Sequence, residues 1–249
     1  MQEDEWLDGI TTVEAVLEAA QRDVRAIYIS DSRRDVRVAR IQQEARLRLI
    51  PFERLSPTAF DQIVPADYHS DVVARVGPRR FHALADLVAI SPAPVIVMLD
   101  GVEDPFNLGQ SIRALFAADI DGLVLPPRNR LVVPDIVARA SAGASERMMI
   151  AIADATAQAI DFFRSAGFSI ACATGKDARP MEEVDLTGPL FLIIGGEKRG
   201  ISRSVLALAD VRVAIPYGRA FPHDLGSAVA SAVLAFEVLR QRRLKNKDT

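Results

Sequence analysis

Apolar residues follow two patterns along this chain. Short, nearly continuous apolar runs recur, and such runs are typical of strands that are buried on both faces. These runs occupy residues 25–30, 72–76, 95–99, 123–125, 148–151, 168–173, 189–194 and 211–215. Between many of them, apolar residues recur three and four positions apart, which predicts amphipathic helices. The alternation of strands and helices predicts an α/β fold with a parallel sheet.

The N-terminal part of the chain predicts a small α/β domain over residues 1–77. A helix is expected at 12–21, with one of the threonines at its start as the cap. A second, amphipathic helix is expected at 33–47, with arginines on its outer face. A short strand is expected at Leu49–Phe52.

A domain boundary is expected shortly after the run at 72–76. Gly77-Pro78-Arg79-Arg80 combines residues that break helices and strands with charge, and more prolines follow up to Pro94. We therefore predict a linker at residues 78–93. The remaining residues, 94–249, predict five or six parallel strands with helices on both faces of the sheet.

One strand–helix–strand unit, at residues 95–125, organises the second domain. Its first strand is followed by Asp104-Pro105, and a loop is expected there because the residue before a proline is disfavoured in a helix. Asn107 and Arg113 lie near the start of the following helix. Ligands of open α/β sheets bind beyond the carboxyl ends of the strands, so this loop is a candidate site.

Two later segments repeat this arrangement. The run at 189–194 is followed at once by Gly195-Gly196-Glu197-Lys198-Arg199-Gly200. The run at 211–215 is followed by a proline, a loop and a helix of small residues at 225–237. Glycines after a strand let the backbone approach a ligand without obstruction by a side chain.

Together these three segments resemble the motifs of the SpoU (TrmH-like) RNA ribose 2′-O-methyltransferases, which belong to the SPOUT superfamily. The shared features are the order DPFNLG…R, the GGE…G loop, and IP…L…A before the last helix. The small-residue segment at 141–146 has a counterpart in that family. Upstream, Asp8-Gly9, residues 13–15 and residues 69–74 resemble the family's substrate-binding domain. The resemblance covers nearly the whole chain.

The resemblance implies a fold, a cofactor and partners. The fold is a knotted (trefoil) parallel-sheet SPOUT methyltransferase domain, with the knot at residues 190–230, preceded by a small α/β RNA-binding domain. The cofactor is S-adenosylmethionine, the substrate is structured RNA (rRNA or tRNA), and the protein is a homodimer. Ala228, Ala232 and Ala235 form a small-residue face that suits helix packing between subunits, although packing within one chain explains it equally well.

The resemblance also assigns the cofactor-binding residues. The matching positions are Gly195, Gly196, Ile215 and Leu225, with Thr174 as a weaker candidate at the edge of a loop. Most of these residues would hold the ligand through their backbone.

Asn107, Arg113 and Glu197 match the family's catalytic positions. An arginine on a helix that faces the core is costly unless it is paired, so Arg113 is expected to meet Glu197, and a purely structural ion pair is the alternative. Because a guanidinium is a poor base, we expect Arg113 to stabilise the developing 2′-oxyanion. Asn107 is expected to brace Glu197 or the substrate, or to cap its helix.

The third motif departs from the family's pattern. The family has Ser-Leu-Asn before the last helix, whereas this chain has Asp224-Leu225-Gly226 after a loop that is one residue longer. Two side-chain contacts are therefore altered, and Asp224 places negative charge where a phosphate would approach. His223 is a candidate base, with a solvated loop histidine as the alternative. The main alternative function is an RNA-binding or cofactor-binding relative with reduced or lost catalysis.

Composition and charge further restrict the class of protein to which the chain can belong. The 249 residues are 49% hydrophobic and 25% charged, as in globular proteins. The net charge of −3 does not indicate a nucleic-acid binder, yet arginines cluster at positions that suit phosphate contacts. These clusters lie at 33–40, 46–48, 79–80, 128–130 and 240–243, and ordinary solvated helix faces are the alternative.

Hydropathy, the cysteine count and the glycine pattern exclude further classes of protein. No run approaches the ~20 apolar residues of a membrane span, and the acidic N-terminus lacks a signal-peptide pattern, so a cytoplasmic protein is expected. Cys172 is the only cysteine, which excludes an internal disulfide and a cysteine-rich zinc site, and no metal is expected. The strand–helix–strand units alone would suit a dinucleotide-dependent oxidoreductase, but no G-x-G-x-x-G turn follows the first strand.

Overall fold

The computed structural model describes residues 4–68, 70–128, 134–245 and 247. His69 and Arg130, which belong to segments used above, lie outside the described residues. The chain forms two compact units, one made of Met1–Arg80 with Val133–Arg147 and the other of Phe81–Val132 with Met148–Thr249. The predicted division into a domain at 1–77, a linker at 78–93 and a domain at 94–249 stays a prediction.

The first unit is an α/β layer built on a four-stranded sheet. Its strands are β1 (Glu5–Asp8), β2 (Val24–Ser30), β3 (Phe52–Leu55) and β4 (Val72–Val76), and its helices include α1 (Ile10–Ala19), α2 (Val36–Leu47) and α3 (Pro57–Ile63). The strand order is β1-β4-β2-β3, in which β2 and β3 run parallel and the other pairs antiparallel. Apolar side chains of α1 and α2 form one core with this sheet.

Two boundaries in this unit differ from the sequence prediction. Helix α1 begins at Ile10 after Gly9, whose φ of 92° ends the preceding strand, and no side chain caps the helix, so the predicted threonine cap is wrong. Strand β3 begins at Phe52 rather than Leu49. Leu49 instead has a φ of 56° and ends helix α2, which displaces the strand along the chain.

The second unit contains a parallel sheet with helices around it. Its first elements are α4 (Leu84–Val88), β5 (Val95–Asp100), α5 (Pro105–Ala117) and β6 (Gly122–Leu125). Helices α6 (Pro134–Ala140) and α7 (Ala144–Arg147) come next in the chain but belong to the first unit. The later elements are β7 (Met149–Ile152), α8 (Thr156–Ser165), β8 (Ser169–Ala173), β9 (Arg179–Pro180), β10 (Leu190–Gly195), α9 (Arg203–Leu206), β11 (Val211–Ala214) and α10 (Ser227–Lys245).

The order of this sheet is β7-β6-β5-β10-β8-β11-β9, and its pairs are parallel. The prediction of five or six strands therefore misses the two-residue strand β9. Strand β10 lies between β5 and β8, with Gly195 in register with Asp100. The carboxyl ends of strands distant in sequence thus meet at one edge of the sheet.

The core of the second unit explains why the predicted strands are continuous apolar runs. Phe163, Phe168 and Phe191 stack and pack edge to face, and Cys172 is fully buried beside them, as a small hydrophobic residue would be. Helices α5 and α10 pack against each other. Within the described residues, no helix is both long and apolar enough to span a bilayer.

Candidate functional site

A cleft of about 560 Å³ lies at the carboxyl edge of the second unit's sheet. The loops after β8, β10 and β11 and the start of α10 form its walls. The predicted cofactor-binding residues Thr174, Gly195, Gly196, Ile215 and Leu225 all line it. The structure therefore brings together five residues that are dispersed over fifty positions of the sequence, as the motifs require.

The two glycines of the second motif are explained by the backbone around them. A Cβ on Gly196 would lie 1.9 Å from the carbonyl oxygen of Gly101, and a Cβ on Gly195 would lie 2.7 Å from the carbonyl carbon of Gly200. The Gly196 amide donates to the carbonyl of Asp100 at 2.8 Å. Glycine is therefore required at both positions because loops of the chain itself come this close together, whether or not a ligand also contacts them.

The lining of the cleft fits S-adenosylmethionine chemically. Its volume falls within the ~300–1,000 Å³ of small-molecule sites. Ile194, Ile215 and Leu225 supply apolar walls for a purine and a ribose. Glu197 and Asp224 supply carboxylates near which a positively charged sulfonium or ammonium group is favoured.

Glu197 is the most strongly held side chain of the cleft. Its Oε1 atom accepts hydrogen bonds from Asn107 Nδ2 at 3.1 Å and from the Ser227 amide at 3.2 Å. The Ser227 hydroxyl donates a third hydrogen bond to the same oxygen. Ser227 is buried and begins helix α10, whose N-terminal dipole also favours a carboxylate. The sequence pattern alone does not identify Ser227 as a site residue.

Asn107 therefore contacts Glu197, as the sequence analysis expects. The alternative, that Asn107 caps its helix, is wrong. Helix α5 begins at Pro105, and the Asp104 side chain caps it by accepting from the Asn107 amide at 2.7 Å. Asp104 thus ends the loop and Pro105 begins the helix. Proline suits this first helical position because the amide proton that it lacks would have no partner within the helix.

Arg113 does not lie where the sequence predicts. It is exposed on α5, and no ion pair joins it to Glu197 within the part of the chain that the structure describes, so the predicted pair is wrong. The physical reason is the orientation of α5, which turns Leu108, Ile112 and Leu115 inward. Arg113 is one residue beyond Ile112 and faces solvent, where an unpaired guanidinium costs little.

Charged side chains beyond the cleft form a separate group at the ends of β5 and β6. Glu103 pairs with Lys198 at 3.3 Å and with Arg128 at 3.8 Å, and Arg128 also reaches Asp100 at 3.5 Å. Apart from Asp100, these side chains are half or more exposed, so each pair contributes little to stability. No cluster of metal-binding side chains is found among the described residues.

The altered third motif lies on the cleft wall. Tyr217, Phe221, His223 and Asp224 all line the cleft, in the loop between β11 and α10. A Cβ on Gly226 would meet no atom within 4 Å, so space exists where the family motif has asparagine. The sequence identifies Asp224 and Gly226 as departures but does not show that three aromatic rings accompany them.

The fold and the cleft define the class of protein: an α/β protein with a cleft of ligand size between loops at the carboxyl edge of a parallel sheet. The match to family models defines it further. The model of the SpoU rRNA methylase family matches residues 94–236, and the model of the RNA 2′-O ribose methyltransferase substrate-binding domain matches residues 6–82. The chain belongs to the SpoU rRNA methylase family.

Individual relatives are similar over nearly the whole length of this chain. The 23S rRNA (guanosine-2′-O-)-methyltransferase RlmB of Shewanella oneidensis is 28% identical over 246 residues, which cover 98% of this chain and 100% of that protein. The RlmB of Xanthomonas campestris is 29% identical over 248 residues, with 97% and 98% covered. A Synechocystis protein named as an uncharacterized tRNA/rRNA methyltransferase is 30% identical, with 97% of this chain and 64% of that protein covered.

Solved structures share the fold. The SpoU methyltransferase AviRb from Streptomyces viridochromogenes, in complex with AdoMet, has a TM-score of 0.80 at 21% identity, covering 97% of this chain and 91% of that one. An AdoMet-bound rRNA methyltransferase from Sinorhizobium meliloti has a TM-score of 0.78 at 22% identity, covering 96% and 87%. The predicted family is thus confirmed, and at the level of that family so is ribose 2′-O-methylation of RNA.

Proposed function

We propose that this protein transfers a methyl group from S-adenosylmethionine to the ribose 2′-hydroxyl of a guanosine in 23S ribosomal RNA. The RlmB relatives, which match this chain over nearly its full length, support this substrate. The observation that carries the proposal is the cleft itself. Its three loops hold the five predicted cofactor residues beside a carboxylate that three hydrogen bonds fix in place.

The cofactor would lie against the backbone of the three loops. Gly195 and Gly196 on one side, and Ile215 and Leu225 on the other, would hold it mainly through main-chain groups, with Thr174 at the edge. The bound cofactor supplies an electrophilic methyl group. Good alignment of the accepting oxygen with such a group contributes about 7–11 kcal/mol to catalysis.

Two side chains, Glu197 and Arg113, would act on the substrate or the cofactor. Glu197, fixed by Asn107 and Ser227, would position the ribose or the cofactor by accepting hydrogen bonds. Arg113, which has no partner among the described side chains, is free to bind a phosphate of the RNA and to stabilise the developing 2′-oxyanion. The exposure of Arg113 therefore agrees with a contact to a ligand better than with a structural ion pair.

The first unit would recognise the RNA, since the substrate-binding model matches residues 6–82. Its arginines on the outer side of α2 suit phosphate contacts. We also propose a cytoplasmic location, where ribosomal RNA is found.

We further propose a homodimer and a trefoil knot at residues 190–230. Exposed apolar side chains on α10, Val229 and Phe236, lie seven residues apart and hence on one face, and Phe106 and Phe116 of the adjoining α5 are exposed as well. Such a surface suits a second copy of the chain. This face differs from the one predicted from small residues, because Ala235 is fully buried within the chain.

The proposal is tested by methyl transfer from radiolabelled S-adenosylmethionine to 23S rRNA and tRNA, followed by mapping of the modified ribose. We expect one site in 23S rRNA. The Arg113→Ala variant should lose at least about 100-fold in rate, as expected when one charge-stabilising donor is removed, while calorimetry should show cofactor affinity within a few-fold of the unaltered protein.

The Arg164→Ala variant is the matched control, because Arg164 is also a partly exposed helix arginine but pairs with Asp210 away from the cleft. Its rate should be unchanged. Equal loss of rate and of cofactor affinity in Arg113→Ala would place Arg113 in the fold rather than in the reaction. Transfer to tRNA alone would overturn the proposed substrate.

A further inference from the structure

Three aromatic rings are in contact at the mouth of the cleft. The centroid of the Phe221 ring lies 6.3 Å from that of Tyr217 and 5.3 Å from that of His223. Phe221 is 56% exposed and Tyr217 41% exposed. Aromatic surface left in water is unfavourable, and a group of such rings beside a binding site indicates a ligand that covers them.

The loop that carries these rings is held in shape by one of them. The Tyr217 hydroxyl accepts from the Leu225 amide at 3.1 Å and donates to the His223 carbonyl at 3.4 Å. These two hydrogen bonds close the loop across eight residues. The rings are therefore placed before a ligand arrives, and binding to such a preorganised surface costs little conformational entropy.

We propose that Tyr217, Phe221 and His223 form a stacking platform for a nucleobase of the RNA substrate. This inference rests on the proposed function and adds to it a means of holding the target nucleotide. A flat base covers aromatic rings and tolerates any sequence, because every base has a π face. Enzymes that react with a base commonly extract it from its stack and bind it between aromatic side chains, and the same contact would hold a nucleotide whose ribose reacts.

The position of the platform favours an RNA base over the adenine of the cofactor. Three of the predicted cofactor positions, Gly195, Gly196 and Ile215, lie close to the strand ends. Phe221 lies six residues beyond Ile215 in the exposed loop that leads to Leu225, and Leu225 would hold the cofactor through its backbone. The exposed Lys176 lines the same cleft and can contact a phosphate. Aromatic rings interleaved with cations are the usual means of holding single-stranded nucleic acid.

The experiment compares Phe221→Ala with Phe221→Trp in the full-length protein. RNA affinity is measured by filter binding with labelled 23S rRNA, and cofactor affinity by calorimetry. One stacked base contributes about 1–3 kcal/mol, so Phe221→Ala should weaken RNA binding about 5- to 150-fold. Cofactor affinity should stay within twofold, and Phe221→Trp should bind RNA within twofold of the unaltered protein.

Three outcomes would overturn the platform. The first is unchanged RNA affinity in Phe221→Ala. The second is an equal loss of cofactor affinity, which would mean that the rings cover the adenine of S-adenosylmethionine. The third is a Phe221→Trp variant as weak as Phe221→Ala, which would show that side-chain shape rather than stacking matters. An unaltered protein that binds the RNA but transfers no methyl group would instead refute the proposed function, while the affinities still test the platform.

Discussion

Glu197 depends on partners from two distant parts of the chain. Asn107 lies 90 residues before it and Ser227 lies 30 residues after it, and both donate to Oε1. Hydrogen bonds to an ionised carboxylate are roughly twice as strong as neutral ones, so this oxygen is fixed while Oε2 remains available to a ligand. Hydrogen bonds to the Glu197 side chain thereby connect the second motif with the first and the third.

Gly196 offers the sharpest prediction for a single residue. Because an added Cβ would lie 1.9 Å from the Gly101 carbonyl oxygen, Gly196→Ala must separate the loops after β5 and β10. We expect a loss of about 3 kcal/mol in the free energy of unfolding, measured by denaturant titration, as for other overpacked positions. Cofactor binding, measured by calorimetry, should weaken with it.

Gly175→Ala provides the matched control. Gly175 also lines the cleft, but no atom lies within 4 Å of its added Cβ and its φ is not positive. Its free energy of unfolding should change by less than about 0.5 kcal/mol. If Gly196→Ala were as stable as Gly175→Ala, the close approach of the two loops would not exist in solution.

The sequence predicts some of the site residues and not others for a physical reason. Asn107 and Glu197 fall in motifs whose spacing is fixed by strand ends, so their meeting follows from the fold. Ser227 is one of several small residues at the start of a helix, and nothing in its type reveals the hydrogen bonds to Glu197. The sequence does not predict the position of Arg113, because apolar spacing alone does not determine which side of a helix a neighbouring residue faces.

At the scale of elements, the end of helix α2 carries backbone strain. Leu49 adopts a left-handed conformation with φ 56° and is 91% exposed, while the amide of Ile50 donates to the carbonyl of Ala45 at 2.8 Å. Glycine is the residue that normally takes this position after a helix, since a Cβ is unfavourable there by about 1–2 kcal/mol.

Leu49→Gly should therefore stabilise the protein. We expect a gain of about 0.5–1 kcal/mol in the free energy of unfolding, because relief of the strained conformation outweighs the greater entropy of glycine in the unfolded chain. Leu47→Gly is the control, since Leu47 is an exposed residue within the same helix. It should lose about 1 kcal/mol, and a similar loss in Leu49→Gly would contradict the strain.

Element prediction from the sequence succeeds where a pattern is long and fails where it is short. The continuous apolar runs of β5, β8 and β10 are recognisable because both faces of these strands are buried. Strand β9 has two residues and no pattern. The sequence predicts the start of strand β3 too early because Leu49 is apolar, although its side chain is almost fully exposed.

At the scale of the whole molecule, each unit is built from two separate stretches of the chain. Residues 134–147 lie within the span matched by the methylase family model, yet they pack in the first unit. Buried ion pairs hold them there: Glu146 meets Arg22 at 2.9 Å and Arg79 at 3.5 Å. Sequence patterns did not predict this, because local periodicity identifies a helix but not the layer on which it packs.

The other attachment of this segment involves two carboxylates. Asp135 and Asp8 are both buried, the Asp8 amide donates to Asp135 Oδ1 at 3.2 Å, and Arg139 contacts both side chains, at 2.9 Å and 3.3 Å respectively. Burial, with the nearby Asp8 carboxylate as a second cause, raises the pKa of Asp135 to about 6. The folded state therefore holds this proton more tightly than the unfolded chain does.

This shift predicts how stability depends on pH. A carboxyl group with a raised pKa stabilises the fold fully below its unfolded pKa near 4, and that contribution is lost as the pH rises to about 6. Asp135→Asn retains an oxygen that accepts from the Asp8 amide but carries no charge. Its free energy of unfolding, from denaturant titrations at several pH values, should exceed that of the unaltered protein at pH 7 by on the order of 1–3 kcal/mol and converge with it near pH 4.

The exposed Asp161 gives the control for this prediction, since Asp161→Asn removes a surface charge and should leave the pH dependence unchanged. An Asp135→Asn variant that is less stable than the unaltered protein at pH 7 would mean that the ion pair with Arg139 outweighs the burial of the charge.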